Sequence, residues 1–233
     1  MIVSTYQPLF SPFPGFFYKA GLSDIMVILD DVQFPHGSSW LNRNRFKNDQ
    51  GILRITIPVW KKGRHLQKIN QVEIYSEGNW RRKHLSALKT AYTHAPYFHD
   101  HLDFLEEMFA GEFKKLVDLN FAIIKYLMER LGIDSKLILL SDLNINSGGS
   151  ELLVDICQRF ENSCYLAQAS ARKFLDLSYF SGRGVGISFF NPPSFVYPQL
   201  WGNFTPNLSA FDLLFNCGPK SRDILAGGMK KRG

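Results

Sequence analysis

The chain has 233 residues, of which 45% are hydrophobic and 21% charged, with a formal net charge of +6 at pH 7. This length supports one sizeable core, and the balance of apolar and charged residues excludes a disordered or fibrous chain. Half of the excess charge sits in Lys230, Lys231 and Arg232, so the body is too weakly basic for a polyanion groove, and nucleic acid is not an expected partner.

The start, MIVSTYQPLF, has no basic n-region and no long apolar stretch, so it does not read as a signal peptide. No apolar run approaches the ~20 residues that span a bilayer. Cys157, Cys164 and Cys217 are odd in number and carry no CxxC spacing. Free thiols in a reducing cytoplasm are expected.

In chain order, residues 2–5 (IVST) are predicted as a strand. Residues 6–15, punctuated by Pro8, Pro12 and Pro14, cannot be regular. Residues 16–22 suit a short helix, and 25–29 (IMVIL) an all-apolar strand buried on both faces. Together they read as a βαβ unit, in which ligands sit at the carboxyl ends of the strands. Residues 40–46 and 53–59 are predicted as strands around a turn at 48–51, and 68–74 as another strand. On such a strand Arg43 and Arg45 share one face, and Asn42 and Asn44 the other.

Helices are predicted over 79–93, 99–110 and 112–131, with Gly132 ending the last. Strands at 136–140, 164–167 and 186–190 then alternate with helices at 150–160 and 171–180, and short helices at 209–216 and 219–226 close the chain. The pattern is that of an α/β protein with a mostly parallel, Rossmann-like sheet and a helical insertion or lobe over 79–132. One domain is expected over 1–228, with a disordered basic tail over 229–233.

Residues 28–47, ILDDVQFPHGSSWLNRNRFK, carry the strongest functional signal. Acids, amides, an imidazole and guanidinium groups crowd together beside aromatic residues, as in a pocket for a polar, anionic small molecule. Asp30 and Asp31 end an apolar strand, where acids cap a helix, bind a cation, orient a substrate amine or stay solvated in a turn. Arg43 and Arg45 could clamp a phosphate or carboxylate bidentately, or blunt an edge strand. His84, with Trp80 and Tyr92, either lines the site or packs.

His99, Asp100, His101 and Asp103 form the first turn of a helix after Pro96. Histidines two apart on a helix point away from each other, so no metal is expected there. The glycines from Gly182 to Gly186 follow a helix and precede a strand, the wrong order for a phosphate loop. Ser209 is placed as a helix N-cap, and Asp212, three residues on, either closes a capping pair or faces a ligand. Tyr197 and Gln199 precede them in a loop.

Taken together, Gln7-Pro8, Pro14-Gly15-Phe16-Phe17, Asp24, VILDDVQF at 27–34 and Trp40-Leu41-Asn42-Arg43-Asn44-Arg45 resemble the WbqC-like family. The resemblance continues through Pro58-Val59, His84 with Tyr92, Ala95-Pro96-Tyr97-Phe98, Tyr165-Leu166, and Leu208-Ser209 with Asp212-Leu213-Leu214-Phe215-Asn216. It implies a role in bacterial surface-polysaccharide (O-antigen-type) biosynthesis and a glycine-transferase activity, attaching an amino acid to an amino sugar. The chain departs from the family pattern near Leu152, where an Arg is usual, and at Ala167-Gln168, where Ser-Gly is usual. Those departures imply a different substrate choice if the positions touch substrate. A weaker similarity, strand, Pro/Gly loop, helix, strand and VQF, links the chain to nucleotidyltransferase-like ligases such as pantoate–β-alanine ligase. Their HxGH signature falls on Phe13-Pro14-Gly15-Phe16, without its histidines, which argues against adenylation.

The expected protein is therefore a cytoplasmic transferase or ligase that forms an amide on a nucleotide-linked amino sugar. Asp30, Asp31 and His84 are its candidate catalytic groups. Gln7, Gly15, Gln33 and Trp40 are candidate substrate contacts, together with Asn42, Arg43, Asn44, Arg45 and Asp212. No metal is expected, and ATP enters only if the enzyme activates its own carboxylate. The alternative is a non-catalytic sugar-nucleotide or partner-binding module of a biosynthetic complex.

Overall fold

The computed structural model describes residues 1–37, 39–61, 63–64 and 66–229. Among them, seven strands form: β1 (Ile2–Tyr6), β2 (Ile25–Ile28), β3 (Arg43–Asn48), β4 (Gly51–Thr56), β5 (Lys136–Leu139), β6 (Cys164–Gln168) and β7 (Gly186–Phe190). Five of them make one parallel sheet in the order β5-β2-β1-β6-β7. β3 and β4 pair separately as an antiparallel hairpin. The protein is thus α/β with a parallel sheet flanked by helices.

The four residues of β2 are all buried because both faces of the sheet are covered. Met26 and Ile28 enter one hydrophobic cluster, Ile25 and Val27 the other, following the two-residue period of a strand. The first cluster is supplied by α1 (Pro14–Gly21), by α4 (Leu116–Leu131) and by α7 (Ala210–Cys217) and α8 (Lys220–Met229) near the C-terminus. It also receives Phe46 and Ile55 from the hairpin. The second cluster draws on α5 (Gly149–Gln158) and α6 (Leu177–Gly182). Two further helices, α2 (Trp80–Tyr92) and α3 (Leu102–Ala110), lie in the helical stretch before α4.

α1 begins with proline in its first turn, where the missing N–H is no loss. Every residue from Pro14 to Ala20 is buried, including Lys19. α4 ends where expected, at Gly132, whose φ of 65° and ψ of 45° suit glycine.

Several predicted elements differ; the hairpin strands run over 43–48 and 51–56 rather than 40–46 and 53–59. Residues 68–74 form a 3₁₀ turn, Ile69–Gln71, between isolated bridges Gln33–Lys68 and Val59–Ile74. Gln71 Oε1 accepts the Lys68 N–H at 3.0 Å, a local bond that competes with a ladder. The helix predicted over 171–180 is divided into a 3₁₀ stretch, Ala169–Phe174, and α6, because Asp176 caps a fresh N-terminus through the N–H groups of Ser178 and Tyr179. The 112–131 helix starts only at Leu116, since Lys114 and Lys115 are engaged in backbone pairing with Glu73 and Ile74. Of the expected tail, Met229 closes α8, and residues 230–233 lie outside the described residues. Among the described residues no helix is long and apolar enough to cross a membrane.

The chain builds β1, β2 and β5 in one direction, then crosses to the other side of β1 for β6 and β7. The strand order therefore reverses between β1 and β6. Parallel sheets bind ligands in the crevice at such a point, beyond the carboxyl ends of the strands.

Candidate functional site

A cavity of about 630 Å³ lies at this crevice. Phe13, Pro14 and Gly15 line it from the turn into α1, Gln168 from the end of β6, and residues 192–197 from the loop after β7. Asn44 and Arg45 of β3 also line it, with Trp40 before the strand and Phe204, Pro206 and Asn207 from the chain before α7. The wall is mostly proline and aromatic surface, which suits a planar or sugar ring.

Gly15 is part of this construction. A Cβ there would come within 2.8 Å of the Phe13 ring, so glycine lets that ring lie against the start of α1. On the hairpin, alternation sends Asn44 inward, where Nδ2 donates to the carbonyls of Phe10 (3.0 Å) and Ser11 (2.7 Å). Asn42 is buried as well and donates to the Ile57 carbonyl at 2.9 Å. Both amides hold loops in place, leaving the arginines on the opposite face.

The guanidinium groups of Arg43 and Arg45 lie 6.0 and 5.3 Å from the centroid of the Trp40 ring. Arg45 Nη2 donates to the Asn207 carbonyl at 3.2 Å. A second hollow of about 210 Å³ is lined by Trp40, Arg43, Asn44, Arg45 and Arg54. It shares Trp40, Asn44 and Arg45 with the larger cavity.

Behind Tyr197, on the cavity wall, is a buried polar network. Asp212, 1% exposed, accepts hydrogen bonds from Tyr92 Oη (2.7 Å) and Tyr197 Oη (2.9 Å). Tyr92 Oη also accepts the Lys47 N–H at 2.8 Å, and Lys47 Nζ donates to Gln199 Oε1 at 3.1 Å and the Asn203 carbonyl at 2.5 Å. Burial raises the pKa of Asp212 while the two phenols pull it down. Burial, and then the nearby Asp212 charge, push both phenols up, so they remain donors. On α1, Lys19 is 7% exposed and donates to the Thr5 carbonyl at 2.9 Å. Burial lowers its pKa to about 8.

The structure thus brings Gly15, Trp40, Asn44 and Arg45 to the cavity and Arg43 to the adjoining hollow. The other candidates lie elsewhere. Asp30 is buried and accepts from the Ser141 N–H (3.0 Å) and Oγ (2.7 Å). Asp31 pairs with Lys68 Nζ at 2.7 Å and accepts from Asn70 Nδ2 at 3.0 Å. His84 Nε2 is 2.8 Å from the Thr56 carbonyl, with its ring against Trp80 and Phe109, and burial lowers its pKa. Gln33 is exposed in its bridge to Lys68, and the Gln7 carbonyl accepts from the Leu9 N–H at 2.8 Å. Asp212 caps nothing and reaches the cavity only through Tyr197.

Phe13, Arg54, Phe204 and residues 192–196 were not singled out as site residues by the sequence, whereas Tyr197 and Gln168 were noted and do line the cavity. The Pro192-Pro193 pair directly after a predicted strand was a usable sign, since loops there border the crevice. Gln168 occupies a position where the chain departs from the Ser-Gly family pattern, and it lines the cavity. Among the described residues, no group of three or more His, Cys, Asp or Glu is placed to hold a metal.

The model of the WbqC-like protein family matches residues 7–224. The uncharacterized protein Rv1507c of Mycobacterium tuberculosis (strain ATCC 25618 / H37Rv) is 33% identical over 225 residues, which cover 96% of each chain. No solved structure matches the chain.

Proposed function

The chain belongs to the WbqC-like protein family, and on that premise we propose that it joins an amino acid such as glycine to the amine of a nucleotide-linked amino sugar. The reaction would serve bacterial surface-polysaccharide assembly in the cytoplasm, where nucleotide-linked substrates are held. The sugar nitrogen attacks the activated acyl carbon, a C–N bond forms as the bond from that carbon to its leaving group breaks, and the proton released by the nitrogen passes to the leaving group or to water.

One observation carries this reading. The cavity at the strand-order reversal combines ring-sized aromatic and proline surface with the Arg45 guanidinium and its neighbour Arg43 on the rim. A ring joined to an anionic group matches both parts. Gln168, on the cavity wall, supplies an amide for hydrogen bonds to hydroxyl groups.

Calorimetric titration of the purified chain with UDP, dTDP, AMP and ATP tests the reading. Binding of UDP or dTDP supports a nucleotide-linked substrate. Binding of ATP assigns activation of the amino acid carboxylate to this chain. No heat with any of the four removes the nucleotide-sugar reading.

A second reading has its own observation. Among the described residues lining the cavity there is no carboxylate, imidazole or thiol to take the proton from the attacking nitrogen. That wall suits a non-catalytic sugar-nucleotide-binding module. Tight nucleotide binding without an amide product, followed by mass spectrometry, would select this reading.

A further inference from the structure

We propose that Arg43, Arg45 and Arg54, with the Trp40 ring against the first two, form a diphosphate-binding subsite that continues the main cavity. The proposal deepens the nucleotide-sugar reading and rests on it only for the direction of the bound molecule.

The pairing of the hairpin sets Arg45 directly opposite Arg54, and Arg43 lies two residues along the same face as Arg45. Like charges directly opposite each other destabilise a strand pair. Among the described residues no carboxylate offsets that repulsion, and Arg45 has only the Asn207 carbonyl and the Trp40 ring as partners. Among the described residues the ion pairs are Arg64–Glu73, Lys68–Asp31 and Lys89–Glu106, and none includes these three arginines. Asn44, between Arg43 and Arg45, has its amide committed to the carbonyls of Phe10 and Ser11. Arg45 Nε is buried without an acceptor among the described residues, whereas Arg43 is half-buried and Arg54 exposed. Buried N–H groups are rarely left unmade. The arrangement is that of a cation cluster awaiting an anion.

The hollow also selects the kind of anion. Three guanidinium groups offer more charge and more paired donors than one carboxylate uses, whereas two linked phosphate groups can accept several forked pairs at once. Trp40 packs over Arg43 and Arg45, which restricts their rotation, yet stays 46% exposed. Its free surface is available to a planar base. Because Trp40, Asn44 and Arg45 border both recesses, the diphosphate of a nucleoside diphosphate sugar would lie on the hairpin with its sugar in the larger cavity.

The test is calorimetry on the full chain with inorganic pyrophosphate, inorganic phosphate and UDP, for the wild type, Arg54→Gln and the control Arg159→Gln at the end of α5. Arg54 is exposed and makes no hydrogen bond that the fold depends on, so its variant isolates the charge. Pyrophosphate should bind at least tenfold tighter than phosphate. Arg54→Gln should weaken pyrophosphate and UDP at least tenfold, while Arg159→Gln changes neither. Equal binding of phosphate and pyrophosphate, or an Arg54→Gln affinity within twofold of the wild type, overturns the subsite. UDP binding that survives Arg54→Gln unchanged overturns the subsite but leaves the nucleotide-sugar reading in place. Pyrophosphate binding lost in Arg54→Gln, with no heat from UDP, keeps the subsite and removes that reading.

Discussion

Replacing Lys19 with methionine should stabilise the fold at neutral pH by about 2 kcal/mol, an estimate that combines a charge-burial penalty with a lost hydrogen bond. Burial takes the lysine pKa from 10.5 to about 8. Each tenfold change in proton affinity is worth about 1.4 kcal/mol, so the buried charge costs about 3 kcal/mol while both folded and unfolded chains are protonated. Methionine keeps the length and apolar contacts of the stem but loses the bond to the Thr5 carbonyl, which takes back about 1 kcal/mol. As pH rises past about 8, the folded wild type releases its proton while the unfolded chain holds it until about 10.5. The unfolded state then binds more protons, so wild-type stability rises with pH across that window relative to the variant. Urea unfolding of both proteins from pH 7 to 10.5, with equal slopes against denaturant, measures the difference. The advantage of Lys19→Met should be largest at pH 7, fall to zero near about pH 10 and reverse slightly by pH 10.5, where only the lost hydrogen bond remains. A variant less stable than wild type at pH 7, or a difference that does not change with pH, would refute the reasoning.

Asp30→Ala should cost about 3 kcal/mol in urea unfolding, because the Ser141 N–H and hydroxyl lose a charged acceptor; unchanged stability with lost turnover would instead place Asp30 against substrate. Gly15→Ala brings a methyl group within 2.8 Å of the Phe13 ring and should displace it towards the cavity. If the cavity takes a nucleotide as proposed, UDP affinity should fall several-fold by calorimetry, with stability changed by less than about 1 kcal/mol. Tyr92→Phe removes a hydroxyl that both donates to Asp212 and accepts from the Lys47 N–H, and should cost about 3 kcal/mol, against about half that for Tyr197→Phe, which loses one bond. Burial raises the Asp212 pKa above 3.8 in the folded chain, so the stability it contributes is full below that value and is lost as pH rises through the folded pKa. Acid-range unfolding of Asp212→Asn should lack that fall.

The parallel sheet was readable because its strands are short, apolar and buried on both faces, as Ile25–Ile28 are. The hairpin was readable because alternation fixes Arg43 and Arg45 on one side and Asn44 on the other, whatever they touch. Side-chain partners were not. Asp30 looks like a strand-end catalytic acid until Ser141, 111 residues away, is seen to occupy it. The strand predicted over 68–74 failed because a glutamine three residues on satisfies the Lys68 N–H locally. Arg54 gave no sign of its own, since only the register that sets it opposite Arg45 turns two arginines into three. Tyr92, Tyr197 and Asp212 converge from separate parts of the chain, and no local pattern announces such a meeting.

The central place of β1 governs how the molecule can be made. Ile25 pairs with Val3 soon after both leave the ribosome, but the other edge of β1 waits for Cys164 and Tyr165. Until then a nascent chain carries an open apolar edge whose N–H and C=O groups can recruit a neighbouring chain. β6 covers that edge, Tyr165 Oη and Thr5 Oγ1 meet across it at 2.8 Å, and the same event delivers Gln168 to the cavity. Protection from self-association and competence for ligand therefore arrive together, late in synthesis, and a fragment ending before residue 164 should have neither.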